Sequence, residues 1–166
     1  MALRITESEI RLLGALLLIF SCASMGIAAA AALRKAVRDT EKTIRITERM
    51  RLEVCLRRQS LIEAMSILET EYPHTRLEGL GLAEKPFSEI WGESISAVGL
   101  PDVTEEAITE LGTALANGAD PETAFRSCRE RLCGALNQQR EDLKNKGKVY
   151  IASGFAAGCL LAIASI

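Results

Sequence analysis

Carboxylates are the groups this chain offers most freely for chemistry. Glu69 with Glu71, Glu105 with Glu106, and Glu141 with Asp142 are the paired carboxylates that general acid–base work would draw on. Such work needs a pocket that holds one partner protonated. Each pair instead lies on a polar face beside no obvious pocket, which reads as solvated surface. Nucleophilic catalysis lacks a base: His74 is the sole histidine, and it follows Pro73 in a loop. Cys128 and Cys133 lie about 140° apart around a helix, too far to share a metal. No G-x-x-x-x-G-K-[ST] segment is present to cradle a phosphate. The residues therefore assign no catalytic group, no metal and no cofactor, and point to a non-enzymatic protein.

A different spacing says more. Gly154, Gly158 and Ala162 fall four apart, as do Cys22, Gly26 and Ala30. Small residues at that interval let helix backbones approach closely in lipid. Gly26, Ala30, Gly154 and Gly158 are the candidate packing residues, although ordinary Gly/Ala content produces the same spacing by chance. The contact could join the chain's own helices or a partner's, and a homo-oligomer is one form of the latter.

Those stripes lie in two greasy ends. Leu12 to Leu33 carries no charge, and neither does Val149 to Ile166. As helices the two runs reach roughly 33 Å and 27 Å, enough to cross a bilayer. The expected organisation is a short head (1–11), a first transmembrane helix (12–33), a helical domain (34–148) and a second transmembrane helix (149–166). A cleaved signal peptide, with Ala-rich residues 28–32 as its cleavage site, is the competing reading of the first run. The two acids in the head, the length of the run and the basic stretch after it argue against cleavage.

Charge then orients the chain. Net charge is −2, but it is segregated. Residues 34–58 hold nine Lys/Arg against four acids, residues 126–148 seven against three, and residues 59–125 two against thirteen. Basic residues beside a span favour the cytoplasmic side and its anionic lipid. Both termini are thus expected outside, with the domain in the cytoplasm and membrane lipid as a partner. The acidic middle would face away from the membrane, with Glu69, Glu71, Glu105 and Glu106 as a candidate partner-docking surface; a solvated face with no partner fits it equally well. Aromatics are only 4% and do not interleave with the basic stretches, which disfavours nucleic acid. Three cysteines in the domain (Cys55, Cys128, Cys133), an odd number, suit a reducing compartment.

The domain reads as all-α. No Pro or Gly interrupts Ala28 to Leu56, so the first span continues as one long helix. Its inward stripe is Val37, Thr40, Ile44, Thr47, Met50 and Val54. Ser60-Leu61-Ile62-Glu63 is a capping box. It starts a helix carrying Leu61, Met65 and Leu68 and ending at Pro73. Residues 73–86 form a connector, and Pro86 opens a short helix stopped by Gly99 and Pro101. Asp102 is expected to cap the next, with Glu105 at the capping-box position, Ala107, Ile108, Leu111, Ala114 and Leu115 inward and Gly118 closing it. Asp120-Pro121 starts the last, with Phe125, Cys128, Leu132, Leu136 and Leu143 inward and Gly147 as the joint to the second span.

Three stretches of this sequence resemble the stage III sporulation protein AB family of endospore-forming bacteria. RLLGALLLIFSCASMG at 11–26 is similar to the family's opening span. MRLEVCLRRQSLIEAM at 50–65 is similar to L-x-x-E-I-x-Y-G-x-T-P-L-x-E-A-L, with Leu56-Arg57 in place of Tyr-Gly and Gln59-Ser60 in place of Thr-Pro. ELGTALANGAD at 110–120, with GFAAGCLLAI at 154–163, is similar to L-G-x-x-L-G-x-x-D and the closing Gly-rich span; Ala124 stands near a Gln that the family often has. The resemblance covers nearly the whole chain. It implies a soluble domain like the cytoplasmic helical domain of type II secretion F proteins. It also implies a mother-cell membrane complex needed for forespore development after engulfment. The implied partners are a secretion-type ATPase of the same operon and other stage III sporulation membrane proteins. A membrane-anchored regulatory or adaptor protein unrelated to secretion is the alternative.

Overall fold

The computed structural model describes residues 7–64, 87–88, 91–92, 95 and 99–165. All regular structure among them is helical. Three long elements dominate: α1 (Glu7–Arg51), α2 (Asp102–Ala116) and α3 (Pro121–Ser165). The chain divides into two compact units, residues 1–35 with 139–166, and residues 36–138; α1 and α3 each contribute to both.

In the first unit α1 and α3 lie side by side, with Gly26 against Tyr150 and Gly158 against Ile19. The helix α3 passes through Gly147 without a break.

In the second unit, the stripe on α1 is buried at Val37, Thr40, Thr47 and Met50, with Ile44 and Val54 half-buried. The core joins Met50 to Trp91, Ile95, Ile108, Leu111, Phe125 and Leu132. Trp91 packs directly against Gly112, where a Cβ would collide with the indole. Its Nε1–H donates to the Ile108 carbonyl at 2.8 Å, so the one polar atom of the ring is satisfied in the core. The completely buried hydroxyls of Thr40 and Thr104 bond each other at 2.9 Å and pin the start of α2 to α1.

The ends of the elements show what local sequence does. The α2 terminus is a Schellman motif: Gly118 takes φ 78°, its N–H donates to Leu115, and Ala119 N–H donates to Ala114. At the start of α3, Asp120 Oδ2 accepts from Thr123 N–H at 3.0 Å and from its hydroxyl at 2.6 Å. These bonds lower the Asp120 pKa. Ser60 Oγ accepts Glu63 N–H at 3.2 Å, opening a helical turn at 61–64. Met65, Leu68, Pro73 and the connector at 73–86 lie outside the described residues.

Two expectations are corrected. Asp102 does not cap α2: Pro101 holds the cap position, its carbonyl accepting from Thr104 and Glu105 at 2.8 and 2.9 Å, with no side-chain cap bond. Asp102 is already in the first turn, where its charge acts on the helix dipole. And α1 does not run on as an α-helix to Leu56. Residues Leu52–Leu56 form a π-helical turn, closed by Arg57 N–H on the Leu52 carbonyl and Gln59 N–H on the Glu53 carbonyl, both at 3.2 Å. Arg58 follows at φ 55°. The left-handed position after the turn is thus held by an arginine, one residue beyond the position where the resembled segment carries a glycine.

Candidate functional site

The membrane-length parts of α1 and α3 meet through backbone rather than side chains. A Cβ built on Gly26 would strike the Tyr150 carbonyl. One on Gly154 would sit 2.7 Å from the Cys22 carbonyl oxygen and 3.2 Å from Gly26 Cα, and one on Gly158 2.9 Å from Ile19 Cα. Ala30 and Ala162, the remaining small residues of the two stripes, are also buried. The structure therefore brings Gly26, Gly154 and Gly158 into one seam within a single chain.

What faces outward is the reverse of a soluble helix pair. Leu17, Phe20, Met25 and Ile27 on α1, and Phe155, Leu160 and Ile163 on α3, are exposed. Both helices are long and apolar enough to cross a membrane, and only 11% and 17% of their most apolar windows are buried. A core helix of a soluble protein would bury most of that surface, whereas lipid accepts it.

Among the described residues the carboxylates do not converge. Glu105 is half-buried in the first turn of α2 and Glu106 is exposed beside it; Glu69 and Glu71 lie outside the described residues. Asp142 is paired with Lys146 at 2.9 Å. Among the described residues no group of three or more His, Cys, Asp or Glu side chains could hold a metal. The crease between Ile44, Thr47, Phe125 and Leu132 is too shallow for a small molecule.

One charged constellation escaped sequence reasoning. Glu53 is 1% exposed, at the π-helical turn on the core side of the chain. Arg49 Nε lies 3.1 Å from its Oε1, and Arg57 Nη1 donates to both oxygens at 3.0 and 2.9 Å. The signal was present: Glu53 stands three after Met50 on the buried stripe, with arginines four before and four after it. Arg51 beside it bridges Glu48 and Glu122 at 2.9 and 2.8 Å, tying the end of α1 to the start of α3. This network clamps the turn and holds two helices in register; it presents no reactive atom to a cavity.

The thiols differ sharply. Cys128 is buried in the core, and desolvation pushes its pKa up to about 12. Cys55 is half-buried, and its thiol is also raised, by burial and then by the Glu122 carboxylate. Neither is an activated nucleophile.

No curated protein and no solved structure matches the chain. Stage III sporulation protein AB, which is not a known enzyme family, matches residues 11–166. With that match running from the first apolar helix through the last, the chain belongs to the stage III sporulation protein AB family, and its role is in sporulation.

Proposed function

We propose that this chain is a non-enzymatic platform subunit of a secretion-like complex in the mother-cell membrane facing the forespore. In this reading α1 and α3 cross the bilayer within 12–33 and 149–166, and residues 34–148 form a cytoplasmic bundle. The observation that carries its membrane-spanning part is the inside-out helix pair: glycine and alanine in the seam, leucine, isoleucine and phenylalanine outward. Basic flanks at 34–58 and 126–148 support the cytoplasmic placement of the bundle. The platform role and its setting rest on the family resemblance.

The same reading gives the bundle a separate ATPase to receive, together with other stage III sporulation membrane proteins. Its acidic middle, with Glu105 and Glu106 on α2, would meet a basic patch on that ATPase. Crosslinking and recovery of partners from sporulating cells tests this. Glu105→Lys with Glu106→Lys should reduce ATPase recovery and flatten its salt dependence. Unchanged recovery sinks the docking surface.

Topology is read by thiol labelling of Cys55 or Cys133, which are half-buried, rather than of the buried Cys128. Labelling by an impermeant reagent in intact cells would overturn the cytoplasmic placement.

A further inference from the structure

The contacts along the seam set an antiparallel register. Gly26 meets Tyr150 and Gly154, and Gly158 meets Ile19 and Cys22. Residues at the same level on the two helices therefore have numbers adding to about 178. That puts Lys144 level with Arg34, and Lys148 level with Ala30. The uncharged run of α1 stops at Leu33 and that of α3 starts at Val149. From Leu13 to Leu33 the rise is about 30 Å, the thickness of a hydrocarbon core. Arg34 and Lys144 thus emerge where phospholipid headgroups begin. Lys148 starts within the apolar band, with a stem long enough to snorkel outward.

Rotation about the helix axes brings the three together. Measured along the chain from the middle of the seam, Arg34 is turned by about 80°, Lys144 by about 65° and Lys148 by about 105°. In an antiparallel pair, turns of the same sign open onto the same side. All three cations thus lie along one groove, on the side where Ala30 and Gly147 keep the seam shallow. All three are exposed, and none has an acidic partner among the described residues. The neighbouring Lys146, by contrast, is turned to the other side and paired with Asp142. The nearest other acids on the two helices, Asp39 and Glu141, sit further from the apolar band.

We propose that Arg34, Lys144 and Lys148 bind the phosphate headgroup of an anionic phospholipid in the groove between α1 and α3. Arg34 supplies a planar fork for two phosphate oxygens, and the two lysines supply point charges. The acyl chains of the same lipid would lie along the exposed Leu, Ile and Phe side chains below. The site deepens the membrane-spanning reading and rests on it.

The test uses the full chain in nanodiscs of mixed phosphatidylcholine and phosphatidylglycerol, with retained lipid counted by native mass spectrometry after gentle detergent extraction. The wild type should retain phosphatidylglycerol selectively. Each of Arg34→Gln, Lys144→Gln and Lys148→Gln should weaken that retention by about fivefold. Lys42→Gln with Arg45→Gln, about 12 and 16 Å further along α1 than Arg34, should leave it unchanged. Equal loss in that control would show diffuse attraction and overturn the site. So would displacement of the lipid by inorganic phosphate, which would mark a site for a free anion. Resistance to alkaline carbonate extraction reports membrane insertion separately: a chain that stays in the membrane but shows no selectivity refutes the site alone, and one that is extracted refutes the spanning reading.

Discussion

A cysteine placed at Gly158 should close onto the native Cys22 within one chain. A Cβ built at 158 lies 3.2 Å from Cys22 Cβ. Disulfides span Cβ–Cβ distances of about 3.5–4.5 Å, so the helices must part by only a few tenths of an ångström. The same small movement relieves the 2.9 Å approach to Ile19 Cα. Gly158→Cys would be made with Cys55, Cys128, Cys133 and Cys159 replaced by serine or alanine, so that Cys22 is the only partner. Oxidation in native membranes should convert most of the protein to a faster-migrating monomer on a non-reducing gel, with the linked peptide confirmed by mass spectrometry. Gly14→Cys in the same background should give no such species, because a Cβ there meets nothing within 4 Å. If Gly158→Cys gives only a covalent dimer, the seam joins two chains and the intrachain pairing is wrong. If it gives no disulfide at all, the register is wrong, and the lipid groove built on that register falls with it.

Other consequences concern the bundle, and Trp91, the only tryptophan, reports on it directly. Gly112→Ala puts a methyl group into the indole ring and breaks its bond to the Ile108 carbonyl; it should cost about 2–3 kcal/mol and red-shift the Trp91 emission. An unshifted spectrum with full stability would refute that packing. Thr40→Val alone leaves the Thr104 hydroxyl buried without a partner and should cost about 1–3 kcal/mol. Thr40→Val with Thr104→Val removes both groups and should recover most of that loss; strictly additive costs would show that the hydrogen bond is not made. Cys128 should resist alkylation while Cys133 reacts. The folded pKa of Cys128, about 12, exceeds the ordinary 9.0, so the folded state holds that proton longer than the unfolded chain does. The corresponding stability is fully present below pH 9 and should fall as pH rises toward 12, and Cys128→Ala should flatten that loss.

Much of this architecture was legible in order along the chain. Uncharged runs of bilayer length, the stripe on α1, and the glycine and aspartate that end one helix and start the next are local signals. Each depends on residues within a turn or two of one another. The absence of Pro and Gly between Ala28 and Leu56 determined a long helix but not its π-helical end. That widening coincides with a buried carboxylate, Glu53, whose burial depends on neighbours remote in sequence. The cap of α2 departs from its local sequence signal for a similar reason. Asp-x-x-Glu spacing fits a capping box, yet Thr104 is drawn inward to Thr40, sixty-four residues away, and Pro101 takes the cap position.

By itself, then, the sequence determined an all-α chain with two apolar ends, a segregated charge pattern and membership of a sporulation family. Periodicity, charge and motif order are properties of the chain read in one dimension. Only the tertiary structure decided that the two glycine stripes meet each other, that Trp91 rests on Gly112, and that Arg34 and Lys144 share a level. The first and last of these depend on register between segments more than a hundred residues apart, and the Trp91 contact on packing between residues 21 apart; no local spacing encodes either.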